Sequence, residues 1–256
     1  ADPLGLIGAI AVAPLLALLL VRLRTATQPV INPRLLANRR FFALSSVALC
    51  AQGGHFGTIY LLPLLLASQH DLGVMAIGFH LLPGALCLAF FGMAGGILAR
   101  RLGNRPLVLA GAVVMFIAAT LMQTVGLGGG PVALAAQYAF LAAGYGMVTA
   151  GISNATSAEL APEVAGVGLG VYNLLFFLGG AISVALAGSI LRNRAGSDGA
   201  WSPLVDGAAG AYSDAATVIL ALAAAGMVLS YLALRREERS ILHGSSAPVP
   251  AGSAGD

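Results

Sequence analysis

Long apolar runs separated by short polar connections recur seven times along the chain, at approximately 4–21, 42–67, 74–99, 106–127, 131–155, 164–191 and 213–234. A bilayer core about 30 Å thick is crossed by roughly 20 residues of helix rising 1.5 Å each. Each run meets or approaches that length. The runs are too long and too uniformly apolar for tilted barrel strands, and open strands would leave backbone groups unsatisfied in lipid. The pattern therefore predicts an all-α integral membrane protein with seven transmembrane helices. The first run is followed by Arg22 and Arg24, so it lacks the basic leading region of a signal peptide. The chain starts at Ala1 without a Met, as expected of a piece of something longer.

Composition agrees with the pattern and narrows the function. Of 256 residues, 58% are hydrophobic and 9% charged, against roughly 25% charged in soluble domains. All 13 basic residues are Arg, which leaves no amine for a retinal Schiff base or a P-loop. Their placement between apolar runs reads as membrane topology and gives no reason to expect nucleic acid as a partner. Arg22, Arg24, Arg34, Arg39 and Arg40 share one face of the bilayer with Arg100, Arg101, Arg105, Arg235, Arg236 and Arg239; only Arg192 and Arg194 lie opposite. The positive-inside rule makes the rich side, and with it the C-terminus, cytoplasmic. Two Cys in apolar stretches, Cys50 and Cys87, form neither a disulfide framework nor a zinc site. No metal or cofactor is expected.

Polar residues within the spans follow an order. The 42–67 run carries Ser45, Gln52, His55, Thr58 and Tyr60; the 131–155 run carries Gln137, Tyr138, Tyr145, Thr149 and Ser153. The runs after each of these carry Gly92 with Gly96 and Gly166 with Gly170, a spacing that lets helix backbones approach closely. The third of each set is nearly all Ala, Leu, Val and Ile. Polar, closely packed, lipid-facing is thus repeated twice, as in a 3+3 inverted repeat of transporter helices.

Several segments resemble the C-terminal half of the major facilitator superfamily, in its fourteen-helix drug:proton antiporter branch. Asn38-Arg39-Arg40-Phe41-Phe42 looks like the entry to the first helix of that half, and Tyr60 to Pro63 with Gly78 to Pro83 its first helix pair. The stretch Gly96 to Arg105, with Arg101 and Gly103, resembles the cytoplasmic loop signature. Gly144, Gly146 and Asn154, then Pro162 to Gly166, then Asn173 with Gly179-Gly180, continue the match. Two departures stand out: Arg100 occupies the acidic position of the loop signature, and Phe176-Phe177 stand where Arg-Gln is frequent.

The resemblance implies a linker transmembrane helix over 1–24, a cytoplasmic connection over 25–41, a six-helix half over 42–234 and a disordered cytoplasmic tail over 235–256. It implies proton-coupled multidrug or antibiotic efflux by alternating access in a bacterial plasma membrane, inactive without an N-terminal or partner half. Protons and a small amphipathic organic compound would be the cargo. The first and fourth helices would line the pathway, giving Gln52, His55, Tyr138, Tyr145 and Thr149. Tyr138, Tyr145 and Thr149 fall on one helical face, suited to cation–π contact with a substrate or to hydrogen bonding between helices. His55 and His80 are the titratable candidates inside the spans, with a neutral structural His as the alternative. Gly96, Arg101, Gly103 and Arg105 would form the cytoplasmic turn. Pro63 and Pro83 would be hinges or static kinks; Gly92, Gly166, Gly170, Asn173, Gly179 and Gly180 would serve packing. An intramembrane enzyme is disfavoured, because no carboxylate pair lies within the spans and the setting of Ser153 does not suit a Ser/His site. A stand-alone seven-helix protein that binds or regulates a partner remains the rival.

Overall fold

The computed structural model describes residues 38–126, 128–194 and 210–244, together with Pro14. The apolar run expected at 4–21, most of the 25–41 connection, Trp201 and residues 245–256 lie outside the described residues.

Six helices long and apolar enough to cross a membrane are present among the described residues. They are α1 (Arg39–His70), α2 (Val74–Leu102), α3 (Asn104–Leu121), α4 (Pro131–Ala158), α5 (Ala165–Arg194) and α6 (Gly210–Gly244). A π-turn, Met122–Gly126, continues α3. Most ends lie within a turn of the hydrophobic boundaries, because backbone hydrogen bonding continues past the apolar slab into the headgroup layer. α6 is the exception: it runs to Gly244, so residues 235–244, expected in the disordered tail, continue the last helix.

Local chemistry sets the ends. The Asn38 side chain accepts from the Arg40 and Phe41 amides at 3.0 and 3.1 Å and caps α1, satisfying donors that the helix itself leaves orphaned. Gly103 joins α2 to α3 with φ +87, a conformation that L side chains rarely adopt. Pro131 opens α4 at a position where its missing N–H costs nothing. Pro63 and Pro83 sit inside continuous helices.

α1 and α4 form the centre. About 67% of the most apolar stretch of α1 is buried and 61% of that of α4, against 6% for α2 and 22% for α5. The packing crosses over: α1 lies chiefly against α5 and α6, and α4 chiefly against α2 and α3, while α1 also meets α4 and α3 meets α6. The second helix of each set does approach a partner closely, α2 against α4 and α5 against α1. Within this chain α2 and α5 are the least buried spans, and α3 and α6, expected to face lipid, are covered more. Ala and Val suit a lipid face and a helix interface equally, so composition could not separate the two.

Candidate functional site

The centre of the molecule is made by close helix crossings. Gly111 of α3 and Gly144 of α4 face each other so tightly that a Cβ on either would stand 2.7 Å from the other's carbonyl oxygen. Gly84 of α2 leaves the space that the Tyr138 ring fills. These contacts bring α4 inward and point its polar residues at α1.

Gln52, His55, Tyr138 and Tyr145 are brought together there, all buried. The Tyr145 hydroxyl donates to Gln52 Oε1 across the α1–α4 seam. The His55 ring stands edge-on to that of Tyr145, with centroids 4.1 Å apart; the rings of Tyr138 and Phe56 are each 6.1 Å away. Neither ring nitrogen of His55 has a hydrogen-bond partner among the described residues, although the residue is only 2% exposed. An imidazole carries at least one N–H and, when neutral, one acceptor. Leaving both unmatched in an apolar core is costly. His55 is thus the least satisfied polar side chain of the seam.

The remaining expected site residues are distributed. Thr149, partly buried, donates its hydroxyl to the Tyr145 carbonyl at 2.9 Å on its own helix, so its polarity is used locally. His80, half-buried on α2, pairs Nδ1 with the Ala76 carbonyl at 2.8 Å and has the partner that His55 lacks. All four of the buried cluster residues face inward between helices of this chain rather than across an open wall.

Of the loop signature, Gly103 makes the expected tight turn, Arg101 is exposed and Arg105 half-buried. The packing glycines divide. Gly179 lies against the Leu49 backbone and Gly180 against the Phe56 ring. Gly96, Gly166 and Gly170 have nothing within 4 Å of where a Cβ would stand; the same is true of Gly92, although its backbone nitrogen lies against Gly146. The α2–α4 approach is made by the Gly92 backbone and by Gly95, one residue from Gly96. One residue turns a helix by about 100°, so a correct spacing read one position off selects a different face. Asn173 is exposed on α5.

Polar contacts not anticipated from the sequence tie the helix ends. Asp214, fully buried in the first turns of α6, pairs with Arg194 Nε of α5 at 2.7 Å. Gln123, in the π-turn, donates to the Ser213 carbonyl and Thr217 hydroxyl, each at 3.1 Å, and accepts from the Ser213 hydroxyl at 2.9 Å. Tyr212 bonds Ser68 of α1 at 2.7 Å. At the opposite end Arg40 meets Glu159 at 3.1 Å. The signal for these was faint: single polar residues at the margins of apolar runs, where solvent contact is the ordinary explanation.

Residues 3–184 match the family model described as Major Facilitator Superfamily. Over 172 residues the chain is 23% identical to Multidrug transporter protein MdtP of Bacillus subtilis (strain 168). The matched stretch is 67% of this chain and 32% of that protein, so the chain spans about a third of the relative's length.

Proposed function

Because the chain belongs to the Major Facilitator Superfamily, we propose that it is the C-terminal half of a proton-coupled secondary transporter that exports amphipathic organic compounds. In this reading it works with an N-terminal half in a bacterial plasma membrane, with its own C-terminus in the cytoplasm. The fourteen-helix drug:proton branch accounts for the apolar run at 4–21 as a linker span. The crossed packing, in which the first helix of each three-helix set lies against the second and third helices of the other, supports an inverted repeat.

The observation that carries the reading is His55. A buried imidazole with no hydrogen-bond partner among the described residues, set among Tyr145, Tyr138 and Phe56, is a costly group in an apolar core and gains by taking up a proton or a partner when its surroundings change. Separation of α1 from α4 would admit water and a proton to the ring. The aromatic faces around it favour a cation, whether the imidazolium or the charged end of a substrate. Gln52 and Tyr145, joined across the seam, would part in the same movement. The multidrug relative is consistent with apolar, aromatic surroundings that place few demands on substrate shape.

The test uses the intact transporter in proteoliposomes under an imposed proton gradient, with a fluorescent organic cation as cargo. The wild type is expected to accumulate or expel the dye with the gradient, and His55→Ala to lose at least tenfold of that flux. Undiminished gradient-driven flux in His55→Ala, with normal expression, would overturn the role given to His55.

A further inference from the structure

Serine and threonine inside these helices mostly return their hydroxyls to their own backbone. Ser46, Thr58, Thr120, Thr149 and Ser230 each donate to the carbonyl four residues back. Ser45 and Thr156 do not. Both are fully buried, and neither hydroxyl has a hydrogen-bond partner among the described residues, a costly condition in an apolar interior. Their positions fall on one line. Two contacts set the antiparallel register of α1 and α4: Tyr145 with Gln52, and Arg40 with Glu159 at 3.1 Å. Ser45 stands seven residues from Gln52, and Thr156 eleven from Tyr145. These steps are about two and three turns of helix, so each residue lies on the seam face of its helix. Gln137 also keeps an unmatched Oε1, but its amide nitrogen bonds the Ala118 carbonyl and sets it against α3. The unmatched polar groups of the seam thus run from His55, past Gln52 and Tyr145, to Ser45 and Thr156, and stop at the Arg40–Glu159 pair.

We propose that the α1–α4 seam carries a file of water between His55 and the bundle end that bears Arg40 and Glu159, with Ser45 and Thr156 holding the waters. Buried waters settle where several polar groups lack protein partners, and a hydroxyl accepts one hydrogen bond while donating another. Waters enter as α1 and α4 part. An N–H bond of the protonated His55 ring then breaks, its proton joins the first water, and each member of the file passes one proton on. One proton leaves to bulk water beyond Glu159, the ring is left neutral, and the hydroxyls end as they began; uptake is the reverse. From Gln52 to Arg40 the file follows twelve residues of α1, about 18 Å. Over that distance Phe41, Leu44 and Ala48 are buried and apolar and offer water nothing. α1 and α4 are the two most buried spans of the chain, so the file does not depend on what covers α2 or α5. As a step in transport it rests on the role proposed above for His55; as a path for water it does not.

The experiment is deuterium exchange at the imidazole C2 position, followed by mass spectrometry on the purified full chain in lipid nanodiscs, because that exchange requires water at the ring. His55 of the wild type is expected to exchange measurably. Ser45→Ala combined with Thr156→Val should slow it at least fivefold and leave His80, on α2, unchanged. A variant that merely loosened the fold would expose the ring and speed exchange, so misfolding gives the opposite sign. Glu159→Gln weakens the pair with Arg40 and should speed exchange at His55 at least threefold, a gain that Ser45→Ala with Thr156→Val should remove. Equal exchange of His55 in the wild type and the Ser45→Ala, Thr156→Val variant would overturn the file, as would a wild-type His55 that takes up no deuterium while His70 and His80 do. In the intact transporter His55→Ala separates this inference from the function it serves. Flux lost in His55→Ala, with exchange insensitive to Ser45 and Thr156, removes the file and leaves the role of His55. Flux that survives His55→Ala, with the exchange results as expected, leaves the file and removes that role.

Discussion

The imidazole of His55 meets the phenol ring of Tyr145 edge-on at 4.1 Å, yet neither of its nitrogens is bonded among the described residues. One contact satisfies packing and leaves polarity unsatisfied. This separates stability from function at one residue. His55→Leu removes two unmatched polar atoms from the core and is expected to raise the detergent melting temperature or leave it unchanged. The same substitution should abolish gradient-driven transport in the intact protein. A variant that loses both stability and transport would mark His55 as a structural residue.

Tyr145→Phe keeps the ring against His55 but deletes the donor to Gln52 Oε1. The buried amide oxygen is then left without this partner, at a cost of about 1–3 kcal/mol. Chemical unfolding of purified variants should show this loss, and Gln52→Leu in the same background should recover part of it. An additive double mutant would mean that the two side chains are not coupled.

The glycines can be ranked by what surrounds them. Gly144→Val forces a side chain against the Gly111 carbonyl, and overpacking of this kind costs about 1–3 kcal/mol or more. Gly166→Ala and Gly170→Ala meet open space and should change stability by less than about 0.5 kcal/mol. Thermal melts of the three variants decide the matter. A large effect at Gly170 would show that α5 is covered by something beyond this chain.

Asp214 is fully buried and bonded to Arg194. Asp214→Ala removes the acceptor and leaves the guanidinium, itself only partly exposed, without that partner; a loss of about 3 kcal/mol is expected. Asp214→Asn should cost less, because the amide oxygen still accepts. If Asp214→Ala melts like the wild type, the pair does not hold α5 to α6.

Much of the scaffold was legible from hydropathy alone. Apolar runs in 39–70, 74–102, 104–126, 131–158, 165–194 and the first part of 210–244 announced spanning helices, since lipid requires every backbone group to bond within its own helix. The seam was partly legible too: Gln52, His55, Tyr138 and Tyr145 stood out because polar side chains inside a span are expensive and rarely accidental.

What the sequence determined by itself was therefore the material: helices of spanning length, tight turns such as Gly103, and a few costly polar residues on two of the helices. The tertiary structure decided which faces meet. It placed Gly95 rather than Gly96 at the α2–α4 contact, set Tyr138 into the space above Gly84, and joined Gln123 to Ser213 across 90 residues. It also gave His80 a carbonyl partner and His55 none among the described residues. The physical reason is geometric. Hydrophobicity fixes that a segment enters lipid, but apolar side chains gain as much against lipid as against a neighbouring helix. The rotation of each helix about its axis is left to packing and to a handful of hydrogen bonds between residues far apart in the chain.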